Sequence, residues 1–198
     1  MKLGSGQSGR WLLGYHPMGY QRGVGLLEVL VALVIISVGL LGMAGLQARA
    51  VKSERDSFNQ TMAMVYGDYI MERVRANAED PLAATLPYRI GNAVIGNPGT
   101  DCDLLAADCT LAQRATQDIF EWQQQVRLNL PNADAIICLD DTPFDGTSRV
   151  NAAGVTTLVD GCSGAGTNYA IKLFWLNNRF DDATGAVDKS RLIMEFVP

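Results

Sequence analysis

A long apolar run near the N-terminus constrains this chain more than any other feature. Residues 24–46 contain a single charged side chain, Glu28. As a helix that rises 1.5 Å per residue, the run spans roughly 34 Å, enough to cross a hydrocarbon core of about 30 Å. A carboxylate inside such a helix costs about 2.5–3.5 kcal/mol on insertion scales. A segment that only anchors the chain would be more stable in the membrane without this carboxylate. We therefore expect Glu28 to have a partner.

The residues around the run decide between a signal peptide and a signal anchor. Lys2, Arg10 and Arg22 precede it with no acidic residue. A secretory signal peptide also begins with a basic region, but its apolar part is about 7–15 residues long and ends at an A-x-A-like cleavage site, which is absent here. The length therefore fits a signal anchor better. Basic residues also follow the run, so charge alone leaves the orientation ambiguous.

The overall charge argues against one class of partner. The chain has 198 residues, a net charge of −5 and a pI near 4.8. No stripe of Lys and Arg with interleaved aromatic residues occurs in the sequence, so we expect no nucleic acid as partner. The length predicts one modest domain in addition to the apolar run.

All four cysteines lie beyond the apolar run. Their even number predicts two disulfides, and hence an oxidising compartment for this part of the chain. Three connectivities are possible; we favour Cys102–Cys109 with Cys138–Cys162 because each closes a local loop. A zinc site is the alternative, but the C-x₂₋₄-C spacing and histidine partners of such sites are missing.

The helical pattern continues past the apolar run. Residues 47–78 are predicted to form an amphipathic continuation that ends before Pro81. Ile70 and Val74 widen a narrow apolar stripe near the end of this segment. The stripe consists of Val51, Phe58, Met62, Val65 and Tyr69. We expect this helix face to cover a globular head formed by residues 79–198.

The head is predicted to be α+β, with the long N-terminal helix packed on a small antiparallel sheet. A turn-rich stretch leads to Cys109. A helix follows, capped by Thr110, buried along one face and stopped by Pro131. Four strands are then predicted, and a long hairpin connection over residues 177–190 joins the last two. The strands are "ADAIICL", "GVTTLV", "NYAIKLFWL" and "RLIMEFV".

Catalysis finds little support in the sequence, and we expect neither an enzyme nor a cofactor. The only histidine, His16, precedes the apolar run, and no phosphate-binding glycine loop occurs. Two acidic pairs have carboxylate oxygens of the kind that bind calcium. They are Asp140–Asp141, which has Asp145 nearby, and Asp181–Asp182. We favour solvated polar turns for both pairs and predict no metal.

The stretch "RGVGLLE" resembles the processing site of type IV prepilins, in which a small residue precedes the cut and a glutamate is the fifth residue after it. Residues 29–47 are most similar to the PilV family of minor type IV pilins. The resemblance implies a leader over residues 1–23, cleavage between Gly23 and Val24, and N-methylation of Val24. It further implies that Glu28 directs assembly. Val24 replaces the usual phenylalanine, and Met18 would give a leader of more typical length.

The resemblance also implies a pilin-like fold and a role. Such a minor pilin primes pilus assembly and joins a complex at the pilus tip, supporting adhesion and twitching motility. Its partners would be the prepilin peptidase, other minor pilins, the major pilin, a tip adhesin and the inner membrane, with the head in the periplasm before assembly. A minor pseudopilin of type II secretion is one alternative. A periplasmic enzyme or receptor on an uncleaved signal anchor is another.

Overall fold

The computed structural model describes residues 25–77, 88–91, 93–104, 108–151, 153–177 and 186–197. It has an α+β architecture, as predicted: a long apolar N-terminal helix and small antiparallel sheets. The elements are α1 (Leu26–Asn77), α2 (Leu111–Asn129), β1 (Asp134–Leu139), β2 (Thr147–Val150), β3 (Thr156–Val159), β4 (Tyr169–Trp175), β5 (Val187–Asp188) and β6 (Ser190–Phe196). The chain divides into two units, Met1–Ala48 and Arg49–Pro198.

The described part of the first unit is the beginning of α1. The Gly25 carbonyl accepts hydrogen bonds from the backbone N–H groups of Glu28 and Val29, at 2.9 and 3.3 Å. Every described side chain of this unit is exposed. The helix contains a window that is long and apolar enough to cross a membrane. An apolar surface of this extent requires lipid or other helices around it.

The second half of α1 buries a different face from the one predicted. Ala63, Gly67, Ile70 and Val74 are buried, which confirms the last two. The predicted stripe is wrong in its other members: Val51, Phe58, Val65 and Tyr69 are exposed, and only Met62 packs partly against the core. The buried face begins with two small residues, and a Cβ at position 67 would collide with the Met194 sulfur of β6. The absence of a side chain at Gly67 therefore leaves room for the Met194 side chain on this face.

Helix α2 forms as predicted. Thr110 caps it through a reciprocal capping box, in which the Gln113 N–H donates to the Thr110 hydroxyl and the Thr110 N–H donates to the Gln113 side chain. The expected apolar face, Ala115, Ile119, Trp122 and Val126, is buried. The Trp122 indole N–H donates to the Tyr66 carbonyl of α1 at 2.9 Å, and Arg73 forms an ion pair with Asp118 at 2.9 Å. These contacts fix α2 against the second half of α1.

The described residues of the head form two three-stranded antiparallel sheets, where one was predicted. The first has the order β1-β4-β6 and the second β3-β2-β5. The four predicted strands are present as β1, β3, β4 and β6, but β2 and β5 were missed. Strand β2 reads "TSRV", which is short and polar, and the two residues of β5 lie in the predicted hairpin connection. Neither segment carries the apolar alternation on which strand prediction depends.

Two apolar clusters result from this arrangement. The larger one lies between α1, α2 and one face of the first sheet. The smaller one contains Ile136, Cys138, Ala170 and Phe174 on the opposite face of that sheet, with Leu158 of β3 packed against it. The first sheet is therefore covered on both sides, and its central strand β4 is buried along its whole length.

Candidate functional site

Glu28 is the third residue of α1 and the acidic residue of its first turn. Its side chain is exposed, like its neighbours. The first turn of a helix carries unpaired N–H groups and a partial positive charge, so a carboxylate is favourable at this position. The surrounding apolar side chains nevertheless mean that lipid or packed helices would surround the charge. Glu28 is thus a single carboxylate in an apolar segment, for which a positive group would be a favourable partner.

Gly23 and Val24, the predicted cleavage residues, lie outside the described residues, as do Met18 and Asp181–Asp182. Cleavage and methylation therefore stay predictions. The structure places Glu28 near the N-terminal end of α1, and it places the four cysteines in the second unit.

The cysteines form the two pairs favoured from the sequence. Cys102–Cys109 spans seven residues just before the N-cap of α2, and Cys138–Cys162 joins β1 to the segment after β3. Their Cα atoms are 5.8 and 6.1 Å apart. Asp140 lies close to both sulfurs of the second pair. Because both sulfurs are consumed in the disulfide, they are not available as thiolate ligands for a metal.

A buried lysine, which the sequence pattern did not predict, holds the loops around the second disulfide. The Lys172 side chain is fully buried in β4. Its ammonium lies 2.6 Å from Asp140 and 2.8 Å from Asp145, and it donates to the Gly161 carbonyl at 3.0 Å. Asp140 is also buried, so the expectation of a solvated turn is wrong for this residue. Burial is tolerated because the ammonium donates hydrogen bonds to the Asp145 carboxylate and the Gly161 carbonyl and forms an ion pair with Asp140.

The carboxyl group of Asp140 is held in its charged form. Burial by itself raises the pKa of Asp140, but hydrogen bonds from the Lys172 ammonium and from the backbone N–H groups of Thr142 and Ser163 outweigh it. The resulting pKa is below the ordinary value of an aspartate. Hydrogen bonds that favour the charged form produce this direction of shift.

A second buried lysine connects the two sheets. The Lys189 ammonium lies 2.7 Å from Asp134 of β1, and the Ser148 hydroxyl of β2 donates to the same carboxylate oxygen at 2.7 Å. The second sheet is thus fastened to the first by two lysine–aspartate contacts as well as by the small apolar cluster. These groups satisfy one another, and the arrangement is that of a structural ion-pair network.

The comparison with known protein families concerns the N-terminal segment. Residues 18–44 match the family described as the prokaryotic N-terminal methylation motif. This chain carries that motif. The motif supports a type IV pilin-like or pseudopilin protein, and it implies processing by a prepilin peptidase and assembly with other pilins. Proteins of this kind are typically structural. The motif and the apolar helix together fit a pilin that is anchored in the membrane before assembly.

Comparison with curated proteins finds no match, and comparison with solved structures finds none. The family match covers residues 18–44 and does not extend into the head.

Proposed function

We propose that this chain is a minor type IV pilin of the PilV kind. It primes pilus assembly and joins a complex at the pilus tip, through which it supports adhesion and twitching motility. The observation that carries the proposal is the methylation motif at residues 18–44, which leads directly into an apolar helix. A small head with two disulfides follows that helix. The head suits exposure outside the cytoplasm, where disulfides persist.

The first step in this function is cleavage between Gly23 and Val24 by a prepilin peptidase in the inner membrane. Glycine suits the residue before the cut because a backbone without a side chain allows close approach of the protease. Cleavage creates an α-amine on Val24, with an ordinary pKa near 7.7–8.0. Methylation of this amine leaves it basic, so the new terminus carries a positive charge at neutral pH.

Glu28 then becomes the partner of such an amine. Among packed apolar helices, the carboxylate and an α-ammonium neutralise each other. Breaking a buried pair by removing one member costs about 3–5 kcal/mol, because the other charge is left unpaired. The pair thus admits a subunit only after cleavage and only at a fixed axial offset. Its role is to set the register of assembly.

The partners in this account are other minor pilins, the major pilin and a large tip adhesin. Before assembly, the head lies in the periplasm and the apolar helix lies in the inner membrane. A minor pseudopilin of type II secretion is the nearest alternative, because the same motif supports it. Two disulfides, and a head longer than we expect for a minor pseudopilin, favour the pilus.

Sheared-pilus fractionation tests the proposal. Deleting the gene is expected to reduce surface pili and twitching, and a tagged copy is expected to restore both and to appear in the sheared-pilus fraction. A tagged chain that instead co-purifies with the type II secretion complex, with pili unaffected by the deletion, would support the pseudopilin alternative. A chain that stays in the inner-membrane fraction with its leader attached would support the anchored enzyme or receptor.

A further inference from the structure

Phe144 is a large apolar side chain on the surface of the head. It lies in the turn between β1 and β2, and 64% of its surface is exposed. Val159, at the end of β3, is 56% exposed and pairs with the exposed Thr147 at the start of β2. Phe144, Thr147 and Val159, here called the Phe144 patch, lie where the β1–β2 turn meets the open end of the β2–β3 hairpin.

Contacts on both sides of Phe144 hold this turn in place. Pro143, which precedes it, is buried. The Asp145 carboxylate, which follows it, accepts hydrogen bonds from the Lys172 ammonium at 2.8 Å and from the Thr142 hydroxyl at 3.1 Å. The Asp145 N–H donates to the Thr142 carbonyl at 3.3 Å. The buried lysine therefore also has an effect at the surface, because it fixes the turn that presents the Phe144 ring.

Gly146 ends the turn in a conformation that favours glycine. Its φ is 88°, and a Cβ at this position would lie 2.6 Å from the Asp160 carbonyl oxygen. A residue with a side chain would be strained here on both counts. The Arg191 guanidinium donates a hydrogen bond to the Gly146 carbonyl at 3.0 Å. The turn is thus fixed at both ends before any partner binds.

A fixed and exposed aromatic ring suits the centre of a protein interface. Binding is weakened when a loop has to be ordered on association, and a turn that is already ordered avoids most of that loss. Aromatic side chains are enriched in interface cores, where they fill pockets of the partner. An isolated apolar side chain on a surface is ordinary. The Phe144 patch differs because a buried ion-pair network fixes the turn that carries the ring.

The exposed charge around the ring is negative on balance. Asp141 and Asp145 flank it in sequence and are exposed, and the Asp141 carboxylate has no ion pair with any residue that the structure describes. The Lys172 side chain is fully buried, so it presents no charge to solvent. Arg149 is already in an ion pair, and Arg191 is exposed. This balance disfavours an anionic lipid surface and favours a protein with Lys or Arg beside its pocket.

We propose that the Phe144 patch binds a protein other than this chain, which receives the Phe144 ring in an apolar pocket bordered by Lys or Arg. In a symmetric pair of copies of this chain, two acidic turns would meet, so a different protein fits the surface better. The surface belongs to the head and not to the methylation motif, and the inference goes beyond the proposed function.

Site-specific photocrosslinking of the full-length chain, in the cells that produce it, tests this surface. p-Benzoylphenylalanine replaces Phe144 or, as matched controls, Val94 or Leu104, which are exposed apolar residues elsewhere in the head. We expect a protein adduct from position 144 in about tenfold higher yield than from either control, because a central anchor is enclosed by the partner. The crosslinked peptide should map to one apolar segment of one protein, with Lys or Arg beside it.

A charge reversal then tests the border of the pocket. Asp141→Lys is expected to lower the yield of this adduct about fivefold, and replacement of the partner's basic residue by Glu should restore it. Asp108→Lys, at another exposed acid of the head, should leave the yield unchanged. Equal yields from the two charge reversals would contradict the proposal.

Phe144→Ser separates binding by the ring from folding of the head. With p-benzoylphenylalanine in place of Thr147, Phe144→Ser should lower the adduct yield about tenfold, whereas Phe144→Leu should retain most of it. Because the ring is exposed, neither substitution should change the midpoint of urea unfolding. Three results would overturn the proposal: equal yields from position 144 and the controls, adducts with lipid only, or adducts with a second copy of this chain.

Discussion

At the residue scale, the apolar residues around Glu28 determine how its charge must be stabilised. The side chain lies in the first turn of a helix whose other side chains from Leu26 to Leu46 are uncharged. The helix N-terminus offsets part of its cost in an apolar environment, and a positive group would offset the rest. In our account, processing creates that group on each subunit.

Replacing Glu28 by Gln should therefore separate processing from assembly. We expect Glu28→Gln to be cleaved normally, since the change lies beyond the cut, but to be incorporated into pili at least tenfold less than the unmodified chain. The unpaired α-ammonium of the partner is the physical reason. Asp108→Asn, at an exposed acid of the head, is the matched control and should be incorporated normally. The measurement is N-terminal sequencing combined with sheared-pilus fractionation.

Lys172 offers a test of the head at the same scale. Lys172→Met leaves Asp140 buried without its cation, which is expected to lower the free energy of unfolding by about 3–5 kcal/mol. Arg149→Met removes an ion pair with Asp188 whose side chains are 50% and 65% exposed, and should cost under about 1 kcal/mol. Urea unfolding of the detergent-solubilised chain, followed by tryptophan fluorescence, gives both values.

The double variant Lys172→Met/Asp140→Asn supplies the control for that interpretation. It removes both charges while keeping an acceptor for the backbone N–H groups of Thr142 and Ser163. We expect it to recover at least half of the loss. No recovery would show that packing around Lys172, and not the unpaired charge, dominates.

The contact between Lys172 and Asp140 also predicts that the stability of the head depends on pH. Because the pKa of Asp140 is lowered in the folded state, the pair stabilises the head fully above the ordinary aspartate pKa of about 3.9. That contribution disappears as the pH falls through the folded pKa. The free energy of unfolding should therefore fall below about pH 4, and less steeply in Asp140→Asn. Identical slopes in the two proteins would contradict this role.

Lys172 also shows why part of the head could not be predicted. In "YAIKLFW" it alternates with Ile171 and Leu173, so the pattern places it on the face opposite the core, where a lysine is normally solvated. The second sheet covers that face, and its middle strand, "TSRV", gives no apolar signal. Lys172 is enclosed by loop residues that are distant in sequence, Asp140, Asp145 and Gly161. Such burial is a tertiary effect that the local sequence pattern does not contain.

At the scale of elements, α2 was predictable because every local signal agreed. Its cap, its apolar period and the proline that follows it all indicate the same boundaries. For α1, the period also predicted a helix correctly but chose the wrong face. The helix has two apolar faces, and the pattern favoured the one with larger side chains. The face that packs on the head begins with Ala63 and Gly67, whose small size leaves room for side chains of the head.

The N-cap of α2 gives a prediction at this scale. Thr110→Ala removes the oxygen that accepts the Gln113 N–H, and should lower the free energy of unfolding by about 0.5–2 kcal/mol. Thr116→Ala is the matched control, because this half-buried threonine lies within the helix and its hydroxyl donates to the Ala112 carbonyl. Its effect should stay within about 0.5 kcal/mol. Equal effects of the two substitutions in urea unfolding would contradict the capping role.

At the scale of the whole molecule, the sequence combines segments that suit different surroundings. The first unit exposes an apolar helix with one carboxylate, and the second is a folded α+β head with two disulfides. The methylation motif precedes and overlaps the apolar helix. Cleavage at this motif is the event on which the account depends, because it creates the charge that Glu28 requires.

The most direct test is the intact mass and N-terminal sequence of the full chain, produced with and without its cognate prepilin peptidase. The account predicts a chain that begins at Val24, with one additional methyl group on its amine, only when the peptidase is present. A chain that retains Gly23 in both samples would contradict it, and Glu28 would then need a different partner.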